Sequence, residues 1–105
     1  MNVVDVARED VKRGVADGSI VVVDVREAHE FAAGHIPGAV SQPLSTFNPA
    51  DLAAYQGRRI VFSCAAGVRS LHALNAAQAA GLDLEEHYRG GFRDWAMSGE
   101  AVAQA

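Results

Sequence analysis

One heptapeptide, CAAGVRS from Cys64 to Ser70, holds the only cysteine of the chain, a glycine suited to a sharp turn, and an arginine five positions beyond the sulfur. A cysteine attacks as its thiolate, and a thiolate persists near neutral pH only where donors and positive charge surround it. Ala65, Ala66 and Gly67 are small enough for the backbone to curl round the sulfur, and Gly67 tolerates φ values that larger residues resist. The loop can thereby become a ring of main-chain N–H donors. Arg69 adds a fixed cation whose planar fork suits a small tetrahedral oxyanion. Ser70 closes the pattern as a supporting residue. A free cysteine titrates at about 8.5, and sites of this electropositive kind lie one to several units lower, so no separate base is required. The competing reading of Cys64 is an inert, buried, small apolar residue at the end of a strand.

The flanking segments must set this loop in place. Arg59 to Ser63, RIVFS, reads as a strand that delivers the chain to Cys64. From Ser70 onward, Ala73, Leu74, Ala77 and Ala80 mark one helical face, and Gly81 stops that helix. Ile20 to Asp24, IVVVD, is a β-branched run of the kind buried on both faces of a parallel sheet. In open parallel sheets ligands bind beyond the carboxyl ends of the strands, which is where Cys64 falls. Shorter strands are expected at Val3 to Val6, Ala39 to Gln42 and Leu84 to Tyr88. Helices are expected at Ala7 to Val15, through Phe31 and Ala33, at Ser45 to Tyr55, and after Gly90 and Gly91. Asp24 and Glu27 have the spacing of a helix capping box, and Arg26 and Glu30 that of a pair one turn apart. Strands alternating with helices give an α/β fold, a single domain with a parallel sheet covered on both faces.

Composition sets bounds on function. The 105 residues accommodate one domain, 1–105, with its core at about 3–99 and a small-residue tail at 100–105 expected to be loose. A net charge of -4 opposes nucleic-acid binding, which needs clustered Lys and Arg. A lone cysteine forms no internal disulfide, and His29, His35, His72 and His87 share no metal-ligand spacing, so neither metal nor cofactor is assigned. These histidines are read as exposed or turn-fixing. No membrane-spanning run and no export signal are recognisable, so a reducing, cytoplasmic setting is expected. Phe92 and Trp95 are read as core anchors, and Arg58 and Arg59 as a solvated strand entrance.

Three ordered motifs converge on one family. VVDVREAHEFAAGHIPGAV (Val22 to Val40), CAAGVRS and GGFRDW (Gly90 to Trp95) together resemble the rhodanese-like domain family over nearly the whole chain. The resemblance implies a central parallel sheet of about five strands, Cys64 as persulfide carrier, and Ala65, Ala66, Gly67, Val68 and Arg69 as the substrate cradle. It further implies sulfur transfer from a small anionic donor such as thiosulfate to cyanide or a thiol acceptor, possible acceptors including a thiol protein. The loop from Cys64 to Arg69 has six residues, one fewer than in the related phosphatases, which favours sulfur over phosphate. Two other readings stay open: a persulfide carrier or binding module serving a partner enzyme, and a small cysteine-dependent phosphatase or arsenate reductase. Asp24 and Arg26 end the first firm strand on the same sheet edge as Cys64 and are kept as supporting residues. Local capping and ion pairing are the preferred account of both.

Overall fold

The computed structural model describes residues 2–105. Its sheet has five parallel strands: β1 (Val4–Asp5), β2 (Ile20–Asp24), β3 (Val40–Ser41), β4 (Arg59–Ser63) and β5 (Glu86–Tyr88), in the spatial order β1-β5-β4-β2-β3. Four α-helices connect them: α1 (Arg8–Asp17), α2 (Ala28–Ala33), α3 (Val68–Ala79) and α4 (Gly91–Met97). Every residue of β2 is buried, as expected for a central strand covered on both sides.

The pleat sorts the core into two layers. Val21, Val23, Ile60 and Phe62 pack with Ala73, Leu74 and Ala77 of α3. Ile20, Val22 and Val61 pack with Val11 of α1 and Trp95 of α4. Side chains alternate across a strand, so one β-branched run supplies both layers. Trp95 is thus a core anchor, and Phe92 packs at its margin.

The topology fixes where a site can form. From β2 the chain moves outward through α2 to β3, and from β4 it moves the opposite way through α3 to β5. The crossovers diverge between β2 and β4, which opens a crevice at the carboxyl ends of these two strands. Cys64 follows β4 directly, and Arg26 lies two residues past β2.

Three expectations change. The stretch Ser45 to Tyr55 is not one helix but two 3-10 segments, Leu44–Thr46 and Pro49–Tyr55, separated by extended Phe47 and Asn48. A residue before proline avoids the helical region, so Pro49 forces the break at Asn48. The helix after the loop begins at Val68, which places Arg69 and Ser70 in its first turn. The tail is not loose. Ala103 exchanges two backbone hydrogen bonds of 2.9 Å with His35, Ala101 O accepts from Trp95 Nε1 at 2.7 Å, and Glu100 pairs with Lys12 at 3.0 Å. Small side chains let this backbone lie close against the turn after α2, where its polar groups find partners. No helix among the described residues is long and apolar enough to cross a membrane.

Candidate functional site

Cys64 sits at the floor of the crevice and is 1% exposed, while Ala66 and Val68 face solvent and Ala65, Gly67 and Arg69 are half-buried. Val68 therefore serves the loop through its backbone, its side chain being 65% exposed. Gly67 adopts φ +92°, and a Cβ there would stand 2.8 Å from the carbonyl oxygen of Arg89. Only glycine meets both conditions. This turn aims the Gly67 N–H at Cys64 Sγ, 3.1 Å away, at the N-terminus of α3.

The closing GGFRDW motif explains why the loop's amides face inward. The N–H of Phe92 donates to Cys64 O at 2.8 Å, and that of Arg93 donates to Ala65 O at 3.1 Å. The first turn of α4, whose N–H groups lack partners within the helix, thus draws the loop carbonyls outward. With the carbonyls turned away, amides of the same loop are free to face the sulfur. The approach is so close that a Cβ on Gly91 would lie 2.4 Å from Cys64 O, with φ +65° at that residue.

The sulfur has two kinds of donor, a side-chain hydroxyl and backbone N–H groups. Burial alone would raise the Cys64 thiol, but the Ser70 hydroxyl and the backbone N–H groups of Ser70, Gly67 and Ala66 outweigh it and bring the group below its ordinary value. Ser70 is wholly buried, with its Oγ 3.5 Å from Cys64 Sγ and 2.9 Å from His87 Nδ1. Ser70 is thus in contact with the sulfur rather than a remote support. His87, which spacing alone leaves as an exposed or turn-fixing histidine, is buried on β5 beside it. The alternation of Glu86, His87 and Tyr88 along a short strand was the available signal, since it turns His87 toward the layer that holds α3. His35 does fix a turn: it stacks on Phe31 at 3.8 Å and its Nδ1 contacts Phe31 O at 2.8 Å.

Arg69 is not held free for an anion. Its guanidinium forms a two-pronged pair with Glu30 of α2, Nη1 to Oε1 at 2.6 Å and Nη2 to Oε2 at 3.1 Å. Glu30 also accepts the backbone N–H of Glu27 at 3.1 Å, completing a capping box between Glu27 and Glu30. The expected box at Asp24 and Glu27 and the expected pair of Arg26 with Glu30 are therefore both replaced. Across the crevice Arg69 at the start of α3 reaches Glu30 of α2, and this bidentate contact outcompetes a local turn. Hydrogen bonding from Arg69 holds the Glu30 carboxyl down at about 2. A depressed carboxyl stabilises the fold fully above its unfolded value near 4.5 and loses that contribution as pH falls toward about 2. Glu30→Gln is expected to cost about 1 kcal/mol or less at neutral pH, a partly exposed pair being screened, and urea titrations should approach wild type as pH falls to about 2.

Asp24 and Arg26 do not reach the loop with a hydrogen bond. They pair with each other, Arg26 Nη2 to Asp24 Oδ2 at 2.7 Å, both side chains about 95% buried at 5% and 4% exposure. The same Nη2 donates to Gly34 O at 2.8 Å, and the guanidinium lies 4.4 Å from the centre of the Phe92 ring. Local pairing is the correct account and helix capping is not. The pair joins the end of β2 to the turn after α2 and to α4.

A parallel α/β sheet with a cysteine at its topological switch point, its sulfur accepting from a main-chain N–H, defines a class of cysteine-centred domains. Within it, the chain belongs to the rhodanese-like domain family, whose model matches residues 7–98. The human thiosulfate:glutathione sulfurtransferase is 32% identical over 104 residues, covering 86% of this chain and 90% of that protein. An uncharacterized protein of Synechocystis is 38% identical over 81 residues, and the chain spans 45% of its length. Among solved structures, the human single-domain sulfurtransferase TSTD1 superposes with a TM-score of 0.71 at 31% identity, covering 92% of this chain and 97% of that one.

Proposed function

We propose that the protein is a sulfurtransferase in which Cys64 takes a sulfane sulfur from thiosulfate, or a similar small anionic donor, and passes it to a thiol or to cyanide. The observation that carries this reading is the Gly67 N–H on Cys64 Sγ at 3.1 Å, within a loop whose carbonyls are held outward by α4. The Cys64 thiolate attacks the outer sulfur of thiosulfate. The sulfur–sulfur bond of the donor breaks, sulfite leaves with the bonding pair, and a Cys64 persulfide remains. Thiolate or cyanide then attacks the outer sulfur of that persulfide and releases Cys64 as a thiolate. Each step exchanges one sulfur bond for another, so the reaction balances without an external oxidant or reductant. The loop amides serve the thiolate and the persulfide anion in turn. Because Cys64 is 1% exposed, the donor must present its transferable sulfur at a slender tip. A reducing, cytoplasmic setting would keep the lone thiol available.

The Arg69–Glu30 pair favours a second reading, a persulfide carrier loaded by a partner protein, since the guanidinium at the end of the loop is already paired with a carboxylate. Intact-mass measurement after incubation with thiosulfate separates the two. Gain of one sulfur atom, lost again to cyanide with repeated turnover, is the expected result. No gain from thiosulfate, but gain from a protein persulfide, would replace the first reading with the second. In the first reading Arg69 must exchange Glu30 for the donor anion, and Arg69→Ala is then expected to slow loading by thiosulfate about tenfold, and discharge to cyanide far less. Equal effects on the two half-reactions would remove Arg69 from the donor site.

A further inference from the structure

We propose that Ser70 and His87 form a proton relay that ionises Cys64 by reversing the polarity of a hydrogen-bonded chain. The proposal rests on the reading of Cys64 as a reactive thiolate. The three groups form a chain of contacts across three segments: Cys64 after β4, Ser70 in the first turn of α3, and His87 on β5. Cys64 Sγ to Ser70 Oγ is 3.5 Å and Ser70 Oγ to His87 Nδ1 is 2.9 Å. All three residues are at most 4% exposed, so protein groups stand nearer the sulfur's proton than bulk water does. His87 also lines a depression of about 500 Å³, with Ala66, Gly67, His72 and Arg89. One end of the chain is therefore the buried sulfur and the other borders solvent.

The steps balance. In the thiol state Cys64 S–H donates to Ser70 Oγ, and Ser70 O–H donates to His87 Nδ1, the ring carrying its proton on Nε2. On ionisation the thiol proton passes to Ser70 Oγ, the former hydroxyl proton passes to Nδ1, and Nε2 releases its proton into the depression. The chain then runs in reverse: His87 Nδ1–H donates to Ser70 Oγ, and Ser70 O–H donates to the thiolate. One proton leaves, no electrons move beyond the bonds named, and the imidazole is neutral before and after.

The surroundings suit a neutral ring. Burial is the largest influence on His87 and lowers its affinity for a second proton, with the nearby Arg89 cation acting in the same direction and Asp5 on β1 opposing. Asp5 is occupied by the Arg89 N–H at 3.0 Å, and the neighbouring Glu86 pairs with Arg59 at 2.6 Å. From β4 the register partner of His87 is Phe62, which carries no charge, and from α3 the titratable group at the depression is His72. His87 acts through Ser70 and does not touch the sulfur, so it is a positioning and proton-accepting residue.

The test uses the wild-type chain with nitrogen-15 imidazole resonances and, in parallel, the ultraviolet absorbance of the only thiolate. His87 is expected to change from the Nε2–H to the Nδ1–H tautomer at the pH where Cys64 ionises, and to keep one tautomer through that range in Cys64→Ala. A tautomer unchanged across thiolate formation in wild type overturns the relay. Sulfur loading is read separately, by mass. A tautomer change without loading would overturn the proposed transfer reaction and leave the relay standing, and loading without a tautomer change would do the reverse.

Discussion

Arg26→Ala is expected to destabilise the domain by about 3–5 kcal/mol, because it strands the Asp24 carboxylate in a site with no other cation bonded to it. Asp24 is 3% exposed, and its side-chain oxygens accept from Arg26 Nε, Nη2 and backbone N–H at 2.7–3.1 Å. A buried ion pair need not stabilise a fold relative to an apolar pair, but removal of one partner leaves the other charge uncompensated. Domains of this size are stable by only about 5–15 kcal/mol, so the loss is a large share of the whole. At about 4–8 °C per kcal/mol, thermal unfolding should fall by more than about 10 °C. The further loss of the contacts to Gly34 O and the Phe92 ring loosens α2 and α4 at once. Asp24→Asn combined with Arg26→Met should recover much of the loss, since no charge then stays buried. A double variant no more stable than Arg26→Ala would show that the Gly34 and Phe92 contacts, rather than the stranded carboxylate, carry the effect.

This pair also shows what sequence spacing conveys and what it omits. The two strong strands, the Ala-rich helix and the place of Cys64 were legible because each depends on local signals: β-branched runs, small-residue periodicity and glycine punctuation. Gly67 was legible for the same reason, as a turn residue inside a short loop. The partners of charged residues were not. Glu30 lies four residues from Arg26, yet its guanidinium partner is Arg69, thirty-nine positions away. That contact reaches across the crevice from the start of α3 to α2. His87 and Ser70 are likewise seventeen residues apart and meet through strand pairing. The tail was misjudged because its small residues offer no hydrophobic pattern, while its attachment is through main-chain hydrogen bonds that composition does not encode.

Gly91→Ala is the substitution expected to do most damage to the chemistry. The added methyl would lie 2.4 Å from Cys64 O and 2.5 Å from Ala65 O. These are backbone atoms, so no side-chain rotation relieves the collision. Residue 91 also sits at φ +65°, where a non-glycine residue costs about 1–2 kcal/mol. Either α4 or the loop must retreat, and α4 is anchored by Trp95, which is 3% exposed and donates to Ala101 O. The loop is the part that yields. Its carbonyls then lose the N–H groups of Phe92 and Arg93, the peptide planes are free to rotate, and the amides at the sulfur lose their alignment. The Cys64 thiol should rise by at least about one unit, with about tenfold slower alkylation at neutral pH. Gly81→Ala supplies the comparison, because that residue has φ +87° and nothing within 4 Å of an added Cβ, so it reports strain without collision. If Gly91→Ala alkylated as fast as wild type and lost no more stability than Gly81→Ala, the α4 clamp would not be what sets the loop, and the inward amides would need another cause.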